Sequence, residues 1–193
     1  MNIAVDVDDV LAALHSKLND YYNLKYNKNH VYDEYDNYFL GKIWNVRGEK
    51  VIKIIEDFYE SDLFHEILPI EGSQSGIKNL KNHNLFVVTS RPKSIEKETI
   101  DWINKYFPKT FKEIIFTGQA TRKTGPKITK AQLCLDNNID IIIEDSPWYV
   151  KECAEVGVPS IILNRPWNQK YESPVIAKRA DEWKGVVQIV NNL

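Results

Sequence analysis

Four short stretches of this sequence gather the residue types that handle anionic oxygen. Asp6-Val7-Asp8-Asp9 follows the apolar run Ile3–Val5. Crowded carboxylates need a cation or a proton between them, and a hard cation such as Mg²⁺ suits oxygen ligands. The plain alternative is an acidic helix cap. Thr89-Ser90-Arg91-Pro92 follows a second apolar run. Its hydroxyls and backbone N–H groups at a helix start suit an anionic oxygen, or simply cap the helix. Thr129 and Gln132 match a capping box, which puts Lys130 in a first helical turn. A cation there opposes the helix dipole, so Lys130 either has an anionic partner or is a solvated lysine among others. Glu144-Asp145-Ser146-Pro147 ends a fourth run, with Ser146 suited to cap a helix and Pro147 to its first position.

These stretches need elements to position them. Ile3–Val5, Leu85–Val88, Ile114–Phe116, Ile139–Ile143 and Ser160–Leu163 are short, mostly β-branched runs that predict buried strands. Between them, helical spacing links Val10, Leu11, Leu14, Leu18, Tyr21 and Tyr22. It also links Val51, Ile52, Ile55, Phe58 and Tyr59, and then Ile95, Thr99, Trp102, Ile103 and Tyr106. Strands alternating with helices predict an α/β fold, a parallel sheet covered on both faces. Ligands of such sheets bind beyond the carboxyl ends of the strands, where the four stretches fall.

The first two runs lie about 80 residues apart, far more than one crossover helix needs. An insertion at residues 14–70 is expected, a small helical subdomain over one edge of the sheet, with Pro69-Ile70-Glu71-Gly72 as the return turn. Residues 1–13 and 71–193 then form the core domain. The insertion carries Tyr21, Tyr22, Tyr26, Tyr32, Tyr35, Tyr38, Phe39 and Trp44. Most of these are expected in its own core, and some facing the cleft.

Composition excludes several classes. The 193 residues are 43% hydrophobic and 27% charged, as in an ordinary globular protein rather than a disordered one. A net charge of −2 argues against a polymeric nucleic acid as partner. Residues 1–66 carry 13 acids and 7 bases, whereas residues 91–130 carry 10 bases and 4 acids. That second stretch is a candidate anion-attracting face. Two cysteines imply no disulfide framework and fit a reducing, cytoplasmic setting. The first residues lack the basic and apolar segments of a signal peptide, and no run is long enough to span a membrane. The four histidines show no paired metal spacing and read as structural or surface residues.

Taken in order, acid–x–acid, Thr/Ser, Lys and acid pair, the four stretches resemble the motifs of the haloacid dehalogenase (HAD) superfamily of phosphohydrolases. The matching residues are Asp6-Val7-Asp8, Thr89-Ser90, Lys130 and Glu144-Asp145. The insertion stands where that superfamily carries its type-one cap. Asp6-Val7-Asp8-Asp9-Val10-Leu11, Ile143-Glu144-Asp145-Ser146-Pro147 and Asn164-Arg165-Pro166-Trp167-Asn168 further resemble the cytosolic 5′(3′)-deoxyribonucleotidase group and its bacterial and phage relatives. The better-known members have glycine where Asp9 stands and two aspartates where Glu144-Asp145 stand. Arg91 follows Thr89-Ser90 here, where they usually have an apolar residue after a proline.

The resemblance implies a Mg²⁺-dependent phosphomonoester hydrolase with Asp6 as nucleophile and Asp8 as general acid–base. Asp6, the Asp8 carbonyl and the Glu144/Asp145 pair would hold Mg²⁺, with Asp145 favoured over Glu144. Thr89, Ser90, Arg91 and Lys130 would hold the phosphate, with Lys127 as the fallback for Lys130. The implied substrate is a small phosphorylated molecule, a (deoxy)nucleoside monophosphate before a sugar phosphate. Asn164-Arg165-Pro166-Trp167 either lines the same rim or closes the sheet edge. Two rival readings lie outside catalysis. A receiver-like phosphoacceptor domain has its lysine after the other motifs and no place for the insertion, and an idle HAD scaffold has no need of an intact Asp6, Asp8 and Lys130.

Overall fold

The computed structural model describes residues 1–117 and 128–193; Lys127 lies outside them. Six parallel strands form one sheet: β1 Asn2–Val5, β2 Asn84–Thr89, β3 Glu113–Phe116, β4 Ile141–Glu144, β5 Ser160–Leu163 and β6 Ala177–Ala180. Their order is β3-β2-β1-β4-β5-β6. The first five correspond to the expected runs. The sixth, Ala-Lys-Arg-Ala, carries no apolar run and gave no signal in the sequence. It pairs with β5 alone at the edge, where a strand needs little apolar surface.

Nine α-helices are found among the described residues. Four lie between β1 and the return to the sheet: α1 Leu14–Tyr26, α2 Leu40–Ile43, α3 Gly48–Tyr59 and α4 Asp62–His65. Then come α5 Ser73–Asn79, α6 Glu96–Tyr106, α7 Lys130–Asp136, α8 Pro147–Glu155 and α9 Trp183–Asn191. The chain leaves and returns side by side. Ala13 N–H donates to Leu68 O at 3.0 Å, and Ile70 N–H to Leu11 O at 2.7 Å.

The α1 helix starts later than the apolar spacing predicts. Val10 and Leu11 belong to a tight turn, in which the N–H groups of Leu11 and Ala12 both donate to Val7 O. Asp9 opens that turn at φ 55°, outside helical space. Leu14, Leu18, Tyr21 and Tyr22 are buried as expected. Several aromatics knit α1 to its neighbours. Tyr22 stacks on Trp44 with centroids 4.1 Å apart. The buried Tyr35 hydroxyl donates to Asn19 Oδ1 at 2.7 Å and accepts from Trp44 Nε1 at 3.1 Å.

Strand register delivers the motifs to one place. Val5 is level with Val87 on one side and Ile143 on the other. The residues just beyond, Asp6, Thr89 and Glu144, therefore emerge along one edge. The strand order also reverses at β1, which opens a crevice at its carboxyl end.

Candidate active site

Asp6 leaves β1 with its N–H donating to Ile143 O at 3.0 Å, so the sheet itself fixes its backbone. Its side chain is buried, and Lys130 Nζ lies 2.8 Å from Oδ1. Lys130 has no exposed surface and also contacts Glu144 Oε1. Its place at the start of α7 is set by Thr129, whose Oγ1 accepts the Gln132 N–H at 3.0 Å. Only half of the expected capping box forms, because the Gln132 side chain bonds Asp136 instead. The dipole penalty on a first-turn lysine is offset by two carboxylates. These hold the Lys130 ammonium well above its usual range, although burial alone would lower it. Its charge also lies 4.3 Å from the centroid of the Tyr149 ring.

The acid pair at the end of β4 divides its contacts. Glu144 is fully buried, with Oε1 on Lys130 and Oε2 accepting the N–H groups of Asp145 at 2.7 Å and Ser146 at 2.8 Å. Glu144 thus fixes the turn that leads into the next helix, and the Ser146 hydroxyl, expected to cap that helix, makes no cap bond. Asp145 accepts one indole N–H, from Trp167 Nε1 at 2.9 Å on Oδ2. One carboxylate oxygen each from Asp6, Glu144 and Asp145 lies within 4.8 Å of the others. Burial, with Glu144 and Asp8 nearby, pushes Asp6 up to about 8, although Lys130 pulls it down. Burial also raises Asp145 well above the carboxylate range, helped by Glu144, Asp9 and Asp6. Hard oxygen donors that strain against ionisation fit a divalent cation such as Mg²⁺.

Thr89 closes β2, fully buried, and its Oγ1 accepts the Arg91 N–H at 3.2 Å. Ser90 follows it on the rim. The side chain of Arg91 turns to the half-buried Asp8, with Nη2 2.7 Å from Oδ1. On the other side of β1, Asp9 is fully buried and bonded to His15 Nδ1. Burial alone would lower the His15 imidazole, but the Asp9 carboxylate outweighs it and raises it. The His15 ring sits 4.6 Å from that of Trp167.

Each expected strand-end residue, Asp6, Asp8, Thr89, Ser90, Arg91, Lys130, Glu144 and Asp145, thus falls at one end of the sheet. His15 is a neighbour that the sequence had not marked, because its partner Asp9 is six positions away around a turn. Two insertion tyrosines also reach this end. Asp145 and Glu144 lie near the Tyr38 phenol, which burial above all pushes far up. Tyr32 lies near Asp9, Arg165 and Asp145, and meets Trp167 edge-on at 5.8 Å. Trp167 and Arg165 line this rim, with Arg165 Nε donating to Asp9 O at 2.7 Å.

Residues 1–193 match the family described as 5′ nucleotidase, deoxy (pyrimidine), cytosolic type C protein (NT5C). The chain belongs to this family. It is a phosphatase of the NT5C family, built on the HAD-like fold. Solved structures share that fold at low identity. A predicted phosphatase from Clostridium acetobutylicum is 17% identical, with 100% of this chain and 98% of that one covered and a TM-score of 0.70. A haloacid dehalogenase-like hydrolase from Streptococcus pneumoniae is 13% identical, covering 98% and 97%, also at 0.70. A protein from Bacillus subtilis, described as a HAD-hydrolase bound to magnesium, is 17% identical over 98% of each chain, with a TM-score of 0.63. No curated protein matches the chain. Among the described residues, no helix is long and apolar enough to cross a membrane.

Proposed function

We propose that this NT5C-family chain is a Mg²⁺-dependent 5′-nucleotidase acting on (deoxy)nucleoside monophosphates through an aspartyl-phosphate on Asp6. The observation that carries the chemistry is Asp6 itself. It is a buried carboxylate at the end of the central strand, with Lys130 on one oxygen and two further acids within 4.8 Å.

An Asp6 oxygen attacks phosphorus, and the bond from phosphorus to the ester oxygen breaks. Asp8 gives its proton to that leaving oxygen. Water then attacks the phosphorus, Asp8 takes the proton, and the bond to Asp6 breaks to release inorganic phosphate. Thr89, the Ser90 N–H and Lys130 hold the remaining phosphoryl oxygens. Asp6, the Asp8 carbonyl and Asp145 would hold Mg²⁺, which would supply charge neutralisation for the crowded acids and the phosphoryl group. Asp145 is preferred to Glu144 because both Glu144 oxygens already have partners. Glu144 instead keeps Lys130 charged and in place.

Residues 14–70 act as the cap. Tyr22, Tyr35 and Trp44 belong to its own packing, and Phe39 is exposed. Tyr32 and Tyr38 lie beside Asp145, and Tyr59 lies near Asp8 and Arg91; a flat base stacked on one such ring gains about 1–3 kcal/mol. The family description supports the nucleotide reading. The test is Mg²⁺-dependent phosphate release from nucleotides and base-free esters, read as kcat/KM. Nucleoside monophosphates should lead. If ribose 5-phosphate equals or exceeds every nucleotide, the base contributes nothing and a general small-phosphoester phosphatase replaces this reading.

A further inference from the structure

Arg91 is a buried cation gripped from three directions. Only 3% of it is exposed. One edge of its guanidinium closes on Asp8, with Nε 3.0 Å from Oδ1 and 3.3 Å from Oδ2, and Nη2 2.7 Å from Oδ1. On the opposite side, Nη1 donates to Thr99 Oγ1 at 3.2 Å. Thr99 is itself fixed. It is fully buried on α6, and its hydroxyl donates to Ile95 O at 2.7 Å, which leaves its lone pairs for Arg91. The guanidinium carbon also lies 5.6 Å from the ring centroid of Phe64 on α4. A planar fork held on both edges and one face has little freedom to turn.

Asp8 is less constrained. Its side chain is 23% exposed, and among the described residues the hydrogen bonds to its carboxylate come from Arg91. A proton donor to a leaving oxygen must stand within hydrogen-bond reach of it. Without Arg91, this carboxylate would sample several rotamers at the mouth of the crevice. Charge-assisted fork contacts are short and directional, so they fix orientation as well as charge.

We propose that Arg91 is a positioning residue for Asp8, orienting the side chain that, when protonated, gives its proton to the leaving oxygen, rather than a ligand of the phosphoryl group. The proposal rests on the reading of Asp8 as the acid–base. It makes α4 and α6 part of the acid's mounting, through Phe64 and Thr99. Direct phosphate contact, the sequence expectation for Arg91, is the competing outcome of the test.

The experiment measures Mg²⁺-supported single-turnover phosphoryl transfer, with KM from steady state, on 4-nitrophenyl phosphate, phenyl phosphate and a nucleoside monophosphate. The variants are Arg91→Met, Arg91→Lys and Thr99→Val, each also made in an Asp8→Asn background. Arg91→Met should slow the nucleotide by about 100-fold or more and the nitrophenyl ester by less than about 10-fold, since a good leaving group needs no proton. KM should move by less than about 3-fold for either ester. Thr99→Val should tilt the series the same way with smaller amplitude. In the Asp8→Asn background, Arg91→Met should add less than about 3-fold, because the two act as one unit. Equal losses across the series, a KM effect with kcat intact, or full additivity with Asp8→Asn would overturn the proposal and mark direct contact with substrate. If Arg91→Met does not fold by circular dichroism, Arg91→Lys and Thr99→Val carry the same comparison, because the lysine keeps the charge and loses the fork. A wild-type chain inactive on every ester defeats the functional reading. An active one with equal losses defeats only the positioning role.

Discussion

Replacing Lys130 with methionine removes a cation that lies fully buried between two acids. The volume survives and the charge does not. Deleting one partner of a buried ion pair costs about 3–5 kcal/mol, because the other charge stays behind unpaired. At about 2–4 °C per kcal/mol for a chain of this length, Tm should fall by roughly 6–20 °C. The size of the loss depends on pH, and Asp6 gives the sign. Its carboxyl stands at about 8 in the fold against an ordinary 3.8. Between those values the folded chain keeps a proton that the unfolded chain has released, so the metal-free protein loses stability as pH rises through that window.

Lys130 pulls the Asp6 value down, so its removal extends the window upward. Below the wild-type value, Asp6 is protonated with or without the lysine, and the methionine variant loses mainly the contact with Glu144. Above that value, wild type holds an ionised Asp6 against Lys130 and the variant cannot. Urea unfolding in chelator, at about pH 6 and about pH 9, checks this. The variant's deficit should be larger at the higher pH by up to about 1.4 kcal/mol, the one pKa unit between about 8 and pH 9. Equal deficits at both pH values would refute the reasoning. So would a deficit under about 1 kcal/mol at the higher pH, since that would mean the buried pair contributes no more than a surface one.

Three further outcomes follow from the same geometry. Asp6→Asn should abolish phosphate release while the fold survives, and above about pH 8 the metal-free variant should unfold no more easily than wild type, because the amide has no charge to desolvate; full turnover in protein free of deamidation would remove Asp6 as nucleophile. Trp167→Phe takes the indole N–H from Asp145 Oδ2, and the Mg²⁺ concentration for half-maximal activity should rise about 10–100-fold; an unchanged midpoint would mean that Asp145 is not a ligand. Gly76→Ala on α5 would set a methyl 2.5 Å from Trp183 Cε3 on α9. It should cost about 1–3 kcal/mol in urea unfolding with kinetics intact, and a neutral result would mean that the two helices separate easily.

Legibility in the sequence followed the reach of each determinant. Strands β1 to β5 were readable because a parallel sheet covered on both faces demands continuous β-branched runs. The edge strand β6 needs none, so Ala177–Ala180 looked like loop. Strand-end residues were readable as one constellation because topology gathers them whatever their rotamers. The individual duties of Glu144 and Asp145 were not, since adjacent acids on one strand end differ only in what lies opposite. Lys130 stands opposite Glu144, and Trp167 opposite Asp145. The helix α1 starts after the apolar spacing begins, for a local reason. Asp9 adopts φ 55°, a conformation that glycine reaches without strain and aspartate tolerates better than most residues. Glycine stands here in the better-known nucleotidases that the sequence resembles. In this chain the carboxylate at that position is bonded to His15, a contact that no spacing rule in the sequence would have singled out.

Charge matching across the site leads one step further. Five acids crowd the carboxyl end of the sheet: Asp6, Asp8, Asp9, Glu144 and Asp145. Among the described residues, Lys130 serves Asp6 and Glu144, Arg91 serves Asp8, and His15 serves Asp9. Among the described residues Asp145 alone makes no ion pair; the neutral indole of Trp167 bonds it, and Lys130 lowers its pKa only from a distance. It is also the acid that burial and its neighbours hold well above the carboxylate range. An unpaired buried carboxylate is costly unless it is protonated or meets a cation. A proton would leave the cluster short of a ligand at neutral pH, whereas a divalent ion would serve Asp145 and Asp6 together. The three basic side chains are thus distributed so that the one acid without an ion-pair partner lies beside the proposed nucleophile, and that is where the Mg²⁺ requirement proposed for this phosphatase should originate.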